Sequence, residues 1–397
     1  MGLKRRIAIV MILLLVFVTG IGAWAYHTIY RTSDFSLRHA EAFRFRRMTV
    51  GRVTDPGTYR YFYATNRQRE HEDGPVEARF GSDRGDSLEL GSFDAKMEPS
   101  LGLGMLINPS EWFRDEEIVL QRTETLEESD FVDQVSRLVE ESPHRSLLVL
   151  VHGYRDAFPS ALRKTAFFGH VLDLNTPIVV FDWPGNQGSS LSGYRRARAV
   201  AEASGADLAR TLDMIVERVA PEKLWLVANS MGGQVVVDAL EILDQDPRFS
   251  DSEAEIAEIV LTAPDVDHEE FDQQFKKEVD DLAENLTVYV SSNDRALVLS
   301  RLVNRGSRRG ESTLTPDQLE EAIQIAKLTD PDSEWITLVD VTPVNRTRNF
   351  HNFSLETPEF FNDLYLRLTS ETPPRTRLLY RARTADGSVY YVLTRGR

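Results

Sequence analysis

Ser230 stands in Ala228-Asn229-Ser230-Met231-Gly232-Gly233, after the apolar run 224–227 and before a segment of helical period, 233–243. A serine on a sharp strand-to-helix turn presents its hydroxyl clear of the backbone, where it can attack a carbonyl carbon. Such a turn needs small residues two positions before and two after the serine. Ala228 and Gly232 fill those places, Ala228 being one methyl group larger than the commoner glycine. The plainer alternative is a serine that only caps the following helix.

A second motif fits the first. The run 147–151 ends in His152-Gly153-Tyr154. In a strand–turn–helix site of this kind, the loop after that strand supplies one N–H for the developing oxyanion, and the residue after the nucleophile supplies the other. Tyr154 and Met231 are therefore the expected donors, each contributing about 2.7–4 kcal/mol to the transition state. Gly153 allows close backbone approach. His152 is expected to shape this loop rather than act as base. Phe181-Asp182-Trp183-Pro184-Gly185 follows another strand-like run, which makes Trp183, with His152, a candidate pocket residue; a packed loop aromatic is the equal alternative for Trp183.

A serine nucleophile needs a base, and the base needs an orienting acid. In chain order the acid and then the histidine follow the serine. Only His268 and His351 lie downstream of Ser230. His268 falls before the better acid candidate and reads as an exposed helix-start residue. His351 follows the last strand-like run and a short loop, the expected place for the base. Asp294, just past the run 286–290, is the preferred acid, and Asp265, one strand earlier, is the alternative. Asp265, Asp267, His268, Glu269 and Glu270 lie too close together in sequence to define a metal site, so no metal and no cofactor are expected.

These residues must be held by a scaffold. The runs 146–151, 177–181, 224–227, 258–262, 286–290 and 335–339 are short and apolar without alternation. That pattern suits strands buried on both faces of a parallel sheet. Helical periods at 195–219 and 233–243 lie between them, so βαβ units are expected. Earlier, 59–65 reads as a strand, 66–86 as a loop, 87–98 as a second strand, and 130–141 as the clearest helix within 99–145. The stretch 301–333 interrupts the rhythm and is a candidate lid insertion. Residues 371–397 read as a hairpin extension about Asp386-Gly387.

Lys4, Arg5 and Arg6 precede a nearly unbroken apolar run, 7–26. Twenty helical residues span about 30 Å, the thickness of a bilayer core. The basic cluster favours a cytoplasmic N-terminus. Residues 1–27 are thus expected to be a transmembrane anchor or, with Ala23-Trp24-Ala25 as the cleavage site, a signal peptide. Residues 28–57 would form a juxtamembrane stalk and 58–370 the main domain. The expected location is the extracytoplasmic side of a membrane, or the periplasm after cleavage. The net charge of −16 argues against non-specific nucleic-acid binding. The absence of cysteine excludes disulfides, thiol nucleophiles and thiolate metal sites.

Taken together the motifs resemble a bacterial α/β-hydrolase family of unknown function, the esterase/lipase superfamily enzymes. The resemblance runs over about 58–368. It rests on Tyr61-Phe62-Tyr63-Ala64-Thr65-Asn66-Arg67, Val151-His152-Gly153-Tyr154, Phe181-Asp182-Trp183-Pro184, Asn229-Ser230-Met231-Gly232-Gly233, Thr262-Ala263-Pro264-Asp265-Val266-Asp267, Ser292-Asn293-Asp294-Arg295-Ala296-Leu297 and His351. It implies a doubly wound, mostly parallel sheet and a Ser230–Asp294–His351 triad. Members of that family usually carry histidine before the serine, where this chain has Asn229.

The expected activity is hydrolysis of a small-molecule ester or lipid through an acyl-enzyme. A thioesterase, peptidase or acyltransferase would share the same groups. A non-catalytic α/β-hydrolase module binding or scaffolding at the membrane is the rival from another class.

Overall fold

The computed structural model describes Gly20 and residues 48–54, 57–97, 118–249, 254–266, 282–291, 336–345, 352–369, 377–383 and 389–394. The apolar run 7–26 (Gly20 aside), the 301–333 insertion and the Asp386-Gly387 turn lie outside them. Among the described residues, no helix is long and apolar enough to cross a membrane.

The strands are β1 (Thr58–Arg69), β2 (Phe80–Met97), β3 (Ile118–Leu126), β4 (Ser146–Val151), β5 (Ile178–Asp182), β6 (Lys223–Asn229), β7 (Glu258–Thr262), β8 (Leu286–Val290), β9 (Ile336–Asp340), β10 (Leu379–Arg383) and β11 (Val389–Leu393). They form one sheet in the order β10-β11-β9-β8-β7-β6-β4-β5-β1-β2-β3. From β1 through β5, β4, β6, β7, β8 and β9 to β11 every neighbouring pair is parallel. Antiparallel pairing is confined to the two ends, β1-β2-β3 and β10-β11.

The helices are α1 (Glu128–Glu141), α2 (Phe158–Leu172), α3 (Leu191–Met214, continued by a π turn to Val219), α4 (Gly232–Asp244), α5 (Phe353–Glu356) and α6 (Pro358–Thr369). Side chains along β4 alternate between two cores, as strand geometry requires. Leu147, Val149 and Val151 face one core, with residues of α1, α3 and α4. Leu148 and Leu150 face the other, with residues of α2 and α6. A strand buried on both faces has no polar positions to alternate, which is why these segments read as unbroken apolar runs. The fold is an α/β-hydrolase fold with a mostly parallel sheet covered by helices on both faces.

Two sequence expectations are corrected. The supposed loop 66–86 contains the end of β1 and the first turns of β2, separated by a single turn of 3₁₀ helix, Val76–Ala78. Within 99–145, where only helix was legible, β3 pairs with β2 over Leu90↔Leu126 to Met97↔Ile118. Both stretches carry many charged residues because they belong to the sheet's edge, where one face or both meet water. Their polar pattern therefore hid their extended backbone.

Candidate active site

β6 ends at Asn229 and α4 begins at Gly232, so Ser230 lies in the turn between them. Its φ is +54°. A non-glycine residue pays about 1–2 kcal/mol there, because Cβ crowds the following carbonyl. Three backbone bonds hold the strain. The Ser230 N–H donates to the Thr262 carbonyl (2.9 Å), and the Ser230 carbonyl accepts from the N–H groups of Gly233 (2.9 Å) and Asp265 (3.1 Å). Such conformations persist only where the surroundings over-determine them, and they cluster at active sites.

The order of strands places this turn at a switch point. The connection from β4 leads outward to β5 on one side, and β6 returns to the other side of β4. Ligands of open α/β sheets bind at the carboxyl ends of strands at such a point. Here the ends of β4 and β6 almost touch. A Cβ at Gly232 would lie 2.5 Å from the His152 carbonyl oxygen and 2.7 Å from that of Val151. A Cβ at Gly153 would lie 3.0 Å from the Asn229 oxygen and 3.1 Å from Ser230 Cβ. Ala228 is buried within β6 opposite Val151 and Leu261, so the additional methyl group has a place. Among the described residues, the N–H groups of Tyr154 and Met231 meet no hydrogen-bond acceptor.

Asn229 ties the turn to its surroundings. Its Oδ1 accepts from Thr262 Oγ1 of β7 (2.9 Å) and from Ser354 Oγ of α5 (3.0 Å). Ser354 is three residues beyond His351 in sequence. His351 itself lies outside the described residues, as do Asp294, Asp267 and His268. Ser291, three residues before Asp294, accepts from Asn345 Nδ2 (2.9 Å). The chain segments that flank both expected partners of Ser230 are thus fastened to the carboxyl ends of β6, β8 and β9.

Asp265 is described and buried close to the turn. Its carboxylate accepts a hydrogen bond from the Tyr194 hydroxyl of α3 (2.7 Å). The Tyr194 ring meets that of Tyr154 edge to face at 5.7 Å, and the Tyr154 hydroxyl donates to the Gly188 carbonyl. Tyr154, Tyr194 and Asp265 make one wall beside Ser230.

His152 shapes the loop. Its Nδ1 faces the Gly153 carbonyl at 2.9 Å, while Nε2 lies 3.0 Å from Asp182 Oδ1 and 3.2 Å from the Trp183 amide nitrogen. The imidazole stacks on Trp183 (5.7 Å, 6°), whose indole N–H donates to the His152 carbonyl at 2.8 Å. Trp183 is fully enclosed in the core. Of the two readings of Trp183, this packing matches the packed loop aromatic: it supports the loop after β4 from beneath.

Below this pair lies Arg67, which sequence reasoning placed in a motif without assigning it a task. Its side chain and that of Asp182 are both 0 % exposed. Arg67 Nε and Nη2 grip Asp182 at 2.6 and 3.0 Å. Nη2 also donates to the carbonyls of Asp156 and Trp183 (2.7 Å each), and Nη1 to Gly81 O (3.0 Å) and Asn186 Oδ1 (2.6 Å). One guanidinium thus fastens the loops that follow β4 and β5 to β1 and β2. Burial acts to raise the Asp182 pKa, but the Arg67 charge and the hydrogen bonds from His152 and Arg67 outweigh it and hold the carboxyl below its ordinary range. The signal available in sequence was an arginine two residues past the strand-like run 59–65, following Thr65 and Asn66. Its partner is 115 residues away. Among the described residues, no three His, Asp or Glu side chains gather as metal ligands would.

The family described as "Alpha/beta hydrolase of unknown function (DUF900)" matches residues 127–365. Among solved structures, the ydeN gene product from B. subtilis is similar at 14% identity and a TM-score of 0.29, over 56% of this chain and 99% of that one. A zinc-bound cold-adapted esterase from an Arctic intertidal metagenomic library is similar at 11% identity and a TM-score of 0.35, over 80% of this chain and 97% of that one. Among curated proteins, none matches. The family match takes in β4, the Ser230 turn and the strands beyond it, and this chain belongs to the alpha/beta hydrolases of unknown function.

Proposed function

We propose that the protein is a serine hydrolase that cleaves carboxylic esters of small molecules or lipids. The observation that carries this reading is the strained Ser230 turn, set beside two amide groups, Tyr154 and Met231, that have no acceptor among the described residues. Strain alone would suit a cap. Strain together with unspent donors suits an oxyanion site, where donors must stay free until charge develops on the substrate.

In the proposed reaction His351 takes the Ser230 proton as Oγ attacks the ester carbonyl. Asp294 holds the resulting imidazolium. The oxyanion is received by the Tyr154 and Met231 amides, the alcohol leaves with the proton from His351, and water then releases the acyl group. Asp265 is the alternative acid, but its carboxylate already serves the Tyr194 hydroxyl, which favours Asp294. The run 7–26 would anchor the chain, with the catalytic domain on the extracytoplasmic side, or be removed on export. Protease treatment of spheroplasts, before and after lysis, tests that arrangement, since digestion only after lysis would overturn it.

The activity is tested by a fluorophosphonate probe on the full-length protein. Labelling is expected in the native protein, to vanish in Ser230→Ala, and to fall far more in Asp294→Ala than in Asp265→Ala. A Ser230→Ala protein that still labels and still turns over esters would refute the assignment. Comparing acyl esters, thioesters and amides as substrates then separates an esterase from a thioesterase or peptidase.

A further inference from the structure

At the amino end of β1, whereas Ser230 lies at the carboxyl end of β6, a cavity of about 600 Å³ opens between the segment 49–54, the start of β1 and the second half of α1. Arg52, Arg60, Arg122 and Arg137 line it, against two carboxylates, Asp94 and Glu141. In a protein of net charge −16, a cleft with twice as many cations as anions is a local reversal. The arginines are not equivalent. Arg60 is held by Asp94 through two bonds, 2.8 and 3.0 Å, and Arg122 is held by Glu124. Arg52 and Arg137 are exposed and form no side-chain ion pair among the described residues.

The cleft is built rather than accidental. The N–H groups of Thr49 and Val50 donate to Asn175 Oδ1 (2.8 and 2.9 Å), and that of Met48 donates to Asp173 (3.1 Å). Arg60 N–H donates to the Gly51 carbonyl at 2.7 Å. Gly51 has φ +72°, and a Cβ there would meet the Arg60 carbonyl at 2.8 Å, so the backbone beside Arg52 is held in a conformation that favours glycine. Gln134, also in the lining, has an Oε1 that is shut from solvent and meets no donor among the described residues. Buried polar atoms are normally satisfied, so this one points to a missing partner.

We infer that this cleft binds a phosphate ester, with Arg52 and Arg137 as the anion ligands. A guanidinium matches phosphate oxygens in charge and in fork geometry. The carbonyl of Gln134 suits a hydroxyl on the same ligand. The place favours a lipid headgroup as its source. The segment 49–54 is where the chain preceding the domain joins the sheet, and the 21 residues from 27 to 47 reach up to roughly 70 Å when extended. A cleft on this side can face the bilayer while the Ser230 crevice faces away. The inference stands apart from the role of Ser230, while its choice of a lipid source rests on the proposed membrane anchor at 7–26.

The experiment is native mass spectrometry of the full chain in detergent, with glycerol 3-phosphate, phosphatidylglycerol or phosphatidylcholine added in turn. Arg52→Ala/Arg137→Ala is the variant, and both positions are exposed, so folding should be kept. A thermal melt and unchanged probe labelling at Ser230 serve as controls. Retention of phosphatidylglycerol at least tenfold above phosphatidylcholine, lost in the variant, supports a headgroup site. Retention of glycerol 3-phosphate, lost in the variant, supports the same chemistry with a soluble source. Equal retention of both lipids without glycerol 3-phosphate, or binding that the variant leaves intact, overturns the inference.

Discussion

Two buried arginine–aspartate networks stand in this sheet, one in each half, and they do different work. In the first, Arg67 and Asp182 lie under the loop that follows β4, and every N–H of the guanidinium has an acceptor. Four of those acceptors are on loops or strand ends, so the charge is used to position backbone. In the second, Arg377 grips Asp363 of α6 through two bonds of 2.7 Å and donates to the Tyr289 hydroxyl at 3.2 Å. Its Nη1 has no partner among the described residues. Nearby, Glu258 binds Arg367 at 2.7 Å and accepts from Thr287 at 2.5 Å. This network welds α6 and the segment before β10 to β7 and β8. A fully satisfied buried cation fixes geometry in several directions, whereas a clamp to one carboxylate fixes only the distance between two elements.

The comparison is broken most directly at Arg67. Arg67→Met leaves Asp182 as an uncompensated buried charge, and about 3–5 kcal/mol of stability should be lost. Labelling of Ser230, normalised to the folded fraction, should slow as well, because the loop carrying Tyr154 loses its support. Denaturant titration and probe kinetics measure the two effects separately. If stability fell and labelling per folded molecule did not, Arg67 would be another clamp and the contrast would collapse.

Arg377→Met should also destabilise by about 3 kcal/mol, toward the lower end because Tyr289 still donates to Asp363 at 2.7 Å. Labelling of the folded protein should stay unchanged. A smaller effect is expected from Asn229→Ala. Loss of the acceptor for Thr262 and Ser354 should cost about 1–3 kcal/mol. If His351 is the base, the labelling rate should fall by about tenfold to a hundredfold, since small displacements of a reacting group have effects of that size. Rescue by Asn229→Asp, which restores an acceptor, would separate positioning from packing.

The smallest effects are in the pH dependence, and the two networks have opposite signs. The folded Asp182 carboxyl titrates below its unfolded value. Its contribution is present above about pH 4 and is lost as the pH falls through the folded value. For Glu258 burial dominates and raises the pKa despite Arg367 and Thr287. The folded state therefore holds that proton more tightly, and this contribution is full below about pH 4 and is lost as the pH rises through the folded value. Asp182→Asn should flatten the acid limb of a stability–pH curve. Glu258→Gln should remove an opposing slope just above it. Slopes of equal sign in both variants would contradict this assignment.

The site was legible to unequal degrees for reasons that the residues explain. The Ser230 turn could be read because its requirements are local: a buried strand before it, a small residue two places after it, a helix beyond. A Cβ at Gly232 would lie 2.7 Å from the Val151 carbonyl oxygen at the end of β4, and that crowding is what the sequence pattern reports. Arg67 could not be read in the same way, because its acceptors lie on three separate segments. Trp183 follows a strand end, a place open both to a pocket residue and to a packed loop aromatic, and only the His152 ring lying across it shows which contact it makes. β3 was missed because Ile118–Leu126 is half polar, and an edge strand meets water along much of its length.

By itself the sequence determined the strand set of the parallel core and the strand-to-helix turn at Ser230, since each depends on neighbours within a few positions. The tertiary structure alone decided which distant groups meet. It brought Arg67 under the loop after β4, Ser354 to Asn229, Tyr194 to Asp265, and Arg52 and Arg137 into one cleft at the amino end of β1. Contacts of that kind depend on strand order and helix packing, which are settled by the burial of two whole cores rather than by any local run of residues.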